Sequence, residues 1–357
     1  MSLAFDHRFP PGTVFFGAGA RDRLPEALDA LGVSRALLLS TPHQADGLEP
    51  FARALGDRCV GRFTEAAMHT PVEVSERAAA LARELDADVL VAFGGGSTTG
   101  LGKAIAHRTG LDQIAIPTTY AGSEATPILG QTEGGEKVTL KDPGVLPELV
   151  IYDPELSTGL PVAMSVTSGL NAMAHAVEAL YAPDASPISS LLATEGLSAL
   201  HRALPGIVAR ADDGRARADA LYGAWLSGHV LGSVGMGLHH KLCHALGGSF
   251  DLPHAETHAV LLPHSVAYNA AAARETLRPV ARVVAGDEDA PPGAALHDFA
   301  RELGAPLSLE AFGFGHDDVE RAARIAASKP YPNPAPLEEG ALAALLHRAV
   351  DGHRPDA

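Results

Sequence analysis

Histidines at helical spacing dominate the stretch from Asn171 to His264. It holds Asn171 and His175, then His240, Lys241, Cys243 and His244, then His254 and His258, and closes on Pro263 and His264. Nine of the chain's 17 histidines fall between His175 and His264, too dense a set to read as scattered residues. Residues four apart share one helix face, so Asn171/His175, His240/His244 and His254/His258 each present two polar groups to one side. Imidazoles so arranged can ligate a metal, move a proton or donate to a developing oxyanion. Any one of them is as readily a satisfied interior histidine. The cluster as a whole, framed by apolar helix, reads as a site.

A second group of residues suits phosphate. Gly94, Gly95, Gly96, Ser97, Thr98, Thr99 and Gly100 follow an apolar run at 88–93 and lead into a helix through Lys103 to His107. Glycines let backbone N–H groups approach a pyrophosphate, and a helix N-terminus favours negative charge. The loop is neither a Walker A sequence nor G-x-G-x-x-G, and a tight strand-to-helix turn is the plain alternative. Thr118 and Thr119 follow another apolar run at 114–116 and carry hydroxyls for phosphate or ribose oxygens. After the run at 35–39 an acid would accept from an adenosine 2′-hydroxyl and repel a 2′-phosphate. Ser40 and Thr41 stand there instead, so use of both NADH and NADPH is expected.

These residues need elements to hold them. Up to residue 154, short apolar strands alternate with helical stretches: strands at 13–16, 35–39, 88–93 and 114–116, an amphipathic helix at 72–85, and a hairpin at 130–142. Such alternation predicts a doubly wound parallel sheet. From 155 to 357 alanine and leucine dominate, and an all-helical domain is expected, with breaks at Pro161, Pro183, Pro187, Pro205, Gly247, Pro253 and Pro291. A ligand is expected in the cleft between the two domains, 1–154 and 155–357. The length supports two domains. A net charge of −16 argues against nucleic acid or an anionic membrane as partner. Only Cys59 and Cys243 occur, no run is apolar for long enough to span a bilayer, and the first residues lack a signal-peptide core, so a cytoplasmic protein is expected.

The segments together resemble the iron-containing alcohol dehydrogenase family, over nearly the whole chain. That family holds its metal through an Asp and a His four apart, a His opening an H-x-x-x-H, and a His ten residues beyond that motif. Carried over, these positions are Asn171, His175, His240 and His254. Asn171 departs from the pattern, because a neutral amide oxygen replaces the one anionic ligand, which weakens a divalent site. Within the family the pattern is most similar to the maleylacetate-reducing enzymes, which as a group are regarded as working without metal. The resemblance thus implies vestigial ligand positions with no bound metal, and a homodimer. It also implies a cofactor site at Gly94, Gly95, Gly96, Ser97, Thr98, Thr118 and Thr119, with Ser40 near the ribose and Lys137 of the hairpin near the nicotinamide ribose.

The expected reaction is reduction of the carbon–carbon double bond of maleylacetate, a small dianion, to 3-oxoadipate during aromatic-compound breakdown. Charge then develops on an enolate oxygen, which hydrogen-bond donors can stabilise without a Lewis acid. Asn171, His175, His240, His244 and His254 are the candidate catalytic groups, with His239, Lys241 and His258 as candidate partners of the substrate carboxylates. Cys243 is expected to pack as a small apolar residue. Three alternatives stand beside this: a metal-dependent alcohol or polyol dehydrogenase of the same family, a lyase resembling dehydroquinate synthase, and an inactive nucleotide-binding module.

Overall fold

A computed structural model describes residues 12–134 and 136–357, with the side chains at 136 and 137 outside that description. These residues belong to two compact units, one holding the described residues up to Leu160 and one running from Pro161 to Ala357. In the first unit the strands are β1 (Thr13–Phe16), β2 (Ala36–Leu39), β3 (Cys59–Phe63), β4 (Val89–Gly94), β5 (Asp112–Pro117), β6 (Ile128–Glu133), β7 (Glu136–Lys141) and β8 (Leu149–Tyr152). Six of them form one parallel sheet in the order β1-β8-β5-β4-β2-β3, while β6 and β7 pair as an antiparallel hairpin. Helices α1 (Leu24–Leu31), α2 (Glu49–Leu55), α3 (Val72–Glu84) and α4 (Gly96–Thr109) cover the two faces.

Side chains of a strand alternate between faces, so a strand buried on both sides must be apolar at every position. The central strands obey this. Leu38, Val89, Val91 and Phe93 join Leu24, Leu28, Phe51 and Leu55 in one layer. Leu37, Leu39, Leu90 and Ala92 join Ala78, Ala82, Leu101 and Ile105 in the other. From β2 the chain moves outward to β3, and from β4 it moves the opposite way to β5. The neighbouring carboxyl ends of β2 and β4, where Leu39 pairs with Ala92, therefore flank the crevice in which doubly wound sheets bind ligands.

Two sheet strands are absent from the expectations above. β3 carries Gly61 and the exposed Arg62 on the sheet's edge, which dilutes its apolar pattern, whereas β8 is apolar and buried throughout, as β2 is, and its pattern was there to be read. The hairpin forms its own small sheet rather than extending the large one. Leu129 packs with Ala104 and Val145, and Thr132 bridges to Pro71.

The second unit is helical: α5 (Val162–Leu180), α6 (Pro187–Ala209), α7 (Gly214–Ser233), α8 (Leu238–Phe250), α9 (His254–Asn269), α10 (Arg274–Ala285), α11 (Pro292–Glu302), α12 (His316–Ala327) and α13 (Glu339–Asp351). Every residue of α5 from Ser165 to Leu180 is buried, against α6, α7 and α9 among others. Its alanines let those helices approach on all sides. The breaks expected at Pro205 and Gly247 do not occur, since both lie inside helices, α6 and α8. Pro205 sits near the end of α6, where a missing backbone N–H removes a single bond that packing offsets.

A buried charge ties the sheet unit together. Lys103 on α4 is 1% exposed, and its Nζ donates to Ser123 O (2.5 Å), Thr126 O (2.7 Å), Thr126 Oγ1 (3.0 Å) and Ile128 O (2.8 Å). Burial pulls the ammonium down to about 7, while the carboxylate of Glu124 pulls the other way. Glu124 is itself buried and accepts from Tyr152 Oη at 2.9 Å. One side chain thus fixes the segment between β5 and β6. Lys103→Met is expected to destabilise the fold by on the order of 3 kcal/mol, because buried carbonyls lose their donor. Urea unfolding of the two proteins checks this, and an unchanged midpoint would contradict it.

Candidate active site

The glycine loop occupies the turn from β4 into α4. Gly94 has a φ of 152°, and a Cβ there would lie 2.4 Å from Thr98 Oγ1 and 2.9 Å from Gln44 Oε1. At Gly95 a Cβ would lie 2.8 Å from the methyl of Thr119. Both positions therefore require glycine for space, and Gly94 also for its backbone. Thr98 and Thr99 donate their backbone N–H groups to Gly95 O. The first N–H groups of a helix, here those of Gly96 and Ser97, have no intrahelical acceptor and point toward an incoming anion. Thr98 Oγ1 is buried with no hydrogen-bond partner among the described residues.

Thr118 lies beside this loop, its backbone N–H bonded to Gly94 O at 3.0 Å and its hydroxyl accepting from Gln44 Nε2 at 3.1 Å. Gln44 was not singled out by sequence, since a lone glutamine after a proline carries no signal. Ser40 is fully buried and donates its hydroxyl to Thr41 O at 3.0 Å, so the residue turned outward after β2 is the half-buried Thr41. Lys137 pairs with Thr132 in the hairpin, and its side chain lies outside the described residues.

The histidine cluster is built from three helices. Asn171, His175 and Glu178 share one face of α5, His239, His240, Cys243 and His244 lie on α8, and His254 and His258 lie on α9. His175 Nδ1 and His240 Nε2 are 2.9 Å apart, and His240 Nδ1 is 2.5 Å from Glu178 Oε2. Asn171, His175 and His240 are each no more than 5% exposed. His244 and His254 are exposed, with ring centres 6.2 Å from His240 and 4.4 Å from His258 respectively.

Glu178, which the sequence reading passed over, organises this arrangement. It accepts from the backbone N–H of His239 (2.8 Å), of Gly237 and His240 (3.3 Å each), and from Tyr181 Oη (3.2 Å). The carboxylate thus caps the N-terminus of α8, where a negative charge is favoured. Burial alone would raise its pKa. The hydrogen bond and charge of His240 and the hydrogen bond from the His239 backbone N–H outweigh burial and hold it at about 2. The available signal was its position, three residues after His175 as the one acid of a buried helix, where it needs a partner.

His239 and His258 do not serve as cationic partners for a substrate. Both are 0% exposed; burial pulls His239 down to about 3 and His258 well below its ordinary value, so both are neutral. Their tautomers follow from their neighbours. Ser265 Oγ has one proton and directs it to Leu261 O (2.9 Å) or Leu262 O (3.1 Å), so His239 Nδ1–H donates to Ser265 Oγ at 2.9 Å. His239 Nε2 is then a lone pair and accepts from His258 Nδ1–H at 2.9 Å. That leaves His258 Nε2 a bare acceptor, buried with no partner among the described residues. Asn171 Oδ1 is a second such acceptor. Lys241 is exposed, 5.8 Å from the centre of the Tyr331 ring, and Cys243 is buried among Leu242, Leu246 and the rest of an apolar cluster.

Residues 11–154 match the family model described as iron-containing alcohol dehydrogenase, and residues 165–350 match the model of that family's C-terminal part. A maleylacetate reductase of Rhizobium sp. strain MTP-10005 is 57% identical over 352 residues, 99% of each chain. One from Burkholderia cepacia is 54% identical over 354 residues, again 99% of each chain. The crystal structure of a maleylacetate reductase from Agrobacterium tumefaciens superposes with a TM-score of 0.96 at 57% identity, covering 99% of this chain and 100% of that one.

The depressed carboxyl of Glu178 links stability to acid. An acid held at about 2 when folded, against 4.5 ordinarily, contributes stability that is fully present above about pH 4.5 and lost as pH falls toward 2. Glu178→Gln should be less stable at neutral pH by about 3 kcal/mol, since it leaves His240 without its charged partner. The difference between the two proteins should shrink as pH falls below 4.5. Denaturant titrations from pH 3.5 to 7 test this, and a difference independent of pH would contradict it.

Proposed function

Because the chain belongs to the iron-containing alcohol dehydrogenase family, we propose that it is within that family a maleylacetate reductase, using NADH or NADPH. The observation that carries this reading is the 57% identity to such an enzyme along 99% of both chains. The cofactor, when bound, supplies a hydride to the carbon β to the substrate's ketone. The glycine loop, the N-terminus of α4 and the hydroxyls of Thr118 and Thr119 are the groups that hold its phosphates and ribose.

The protein's own task is to receive charge on the enolate oxygen and to provide a proton to the α carbon. With Glu178 accepting from His240 Nδ1–H, His240 Nε2 shares the proton that lies between it and His175 Nδ1. Only one proton fits between those two nitrogens, so no more than one of the two rings can donate from both of its nitrogens at once. The chain Glu178–His240–His175 then offers an imidazole N–H to the enolate, with the Asn171 amide as a second donor. Lys241 and His244 on α8 and His254 on α9 are exposed nitrogen groups and suit the substrate's carboxylates. We further take the enzyme to be a cytoplasmic homodimer; among the described residues no helix is long and apolar enough to cross a membrane.

A metal-dependent alcohol dehydrogenase is the second reading, and two observations favour it. Asn171 Oδ1 is a buried acceptor without a partner, and a carboxylate backs His240 as carboxylates back metal-bound imidazoles. Asn171, His175, His240 and His254 would hold such an ion, which would polarise a carbonyl oxygen. The donor set fits it only in part, because none of these four residues is anionic.

Following NADH absorbance with maleylacetate, before and after dialysis against EDTA, separates the two readings. Turnover should persist with well below one metal per chain. A full equivalent of iron or zinc with chelator-sensitive turnover would establish the second reading instead. Cofactor choice is a separate test. With no acid after β2, kcat/KM for NADPH should lie within about tenfold of that for NADH, a difference of about 1.4 kcal/mol. The residue that should shift preference toward NADH when made acidic is Thr41, not the buried Ser40. A preference of several orders of magnitude in the unaltered protein would contradict the assignment.

A further inference from the structure

We propose that His239, Cys243 and His258 form a second metal site, for a borderline or soft ion such as Zn²⁺ or Cd²⁺, separate from the four positions the family uses. One ligand atom of each of the three residues lies within 4.8 Å of the other two, and all three are buried. His239 Nε2 is 2.9 Å from His258 Nδ1 and 3.7 Å from Cys243 Sγ. Around a tetrahedral zinc, bond lengths of ~2.05 Å to nitrogen and ~2.3 Å to sulfur place N···N at about 3.3 Å and N···S at about 3.6 Å. These two edges differ from the ideal values by a few tenths of an ångström, and the third, from Cys243 to His258, lies within 4.8 Å, so binding would draw the three side chains together.

The chemistry at the centre of this triangle also fits. His239 Nε2 is a lone pair, and the hydrogen bond from its Nδ1 to Ser265 is the outer support that metal-bound imidazoles ordinarily have. The His258 proton can move from Nδ1 to its own Nε2, the nitrogen that otherwise stays buried without a partner. Binding then forms one metal–sulfur and two metal–nitrogen bonds and breaks the S–H bond of Cys243. One proton leaves to solvent, and the site goes from neutral to a single positive charge. Thiolate with two imidazoles selects Zn²⁺, Cd²⁺ or Cu⁺ over Mg²⁺ or Ca²⁺. The family's positions would use Asn171, His175, His240 and His254, none of which belongs to this set, so the two sites are separable by substitution.

The test is titration of the full-length protein with CdCl₂ in a Cys59→Ala background, which removes the other thiol. The near-ultraviolet thiolate-to-cadmium absorption is read together with calorimetry in two buffers of different ionisation enthalpy. One equivalent should bind with the absorption and with release of about one proton. Asn171→Ala and His240→Ala should bind cadmium as the parent does, whereas Cys243→Ala and the closely isosteric Cys243→Ser should bind at least tenfold more weakly and show no absorption. Cadmium bound equally well by Cys243→Ala, or binding lost with His240→Ala and retained with Cys243→Ser, would overturn the proposal.

Discussion

A carboxylate inside an apolar helix must find hydrogen-bond donors there or it will not stay charged. Glu178 meets that demand through three backbone N–H groups at the start of α8, the phenol of Tyr181 and the imidazole of His240. The consequences run outward from it. Capping α8 fixes where that helix begins and thereby the direction of His239 and His240. Accepting from His240 Nδ1 fixes that ring's tautomer and turns Nε2 toward His175. A parallel chain from the Leu261 carbonyl through Ser265 and His239 sets His258. Two lines of hydrogen bonds thus orient the cluster, one ending in an anion and one in a backbone carbonyl. The first can stabilise a proton on imidazole, and the second holds its imidazoles neutral.

The α/β unit uses the same device with the opposite charge. The Lys103 ammonium, surrounded by oxygens from Ser123, Thr126 and Ile128, secures the segment that follows Thr118 and Thr119. The glycine loop it accompanies is shaped by exclusion, since any side chain at Gly94 or Gly95 would collide with Thr98, Gln44 or Thr119. In both units a buried ion stands behind the residues assigned to ligands.

Much of this was legible in the chain. The sheet was readable where strands are buried on both faces, because β2, β4 and β5 must then be apolar throughout, and the glycine loop because only glycine satisfies its geometry. The histidine positions on α5, α8 and α9 were readable from their spacing of four. What stayed hidden depends on distances between helices that no spacing encodes. Glu178 reads as an ordinary helical acid, Lys103 as a solvated lysine, and Gln44 as loop. His239 and His258 read as cations until their burial and mutual hydrogen bond make them neutral. Ser40 sits at the expected place in sequence, but its side chain is turned into its own backbone. β3 escaped because glycine and an exposed arginine dilute its pattern, whereas β8 is as apolar and buried as β2 and was overlooked rather than hidden.

The central claim is that this site manages charge on an enolate rather than on an alkoxide. Transfer of deuterium from NADD to maleylacetate, with the product examined by NMR, reads that distinction directly. The account predicts one deuterium on the carbon β to an intact ketone, with a solvent proton on the α carbon. Deuterium on a carbinol carbon, with the double bond retained, would show carbonyl reduction and contradict it.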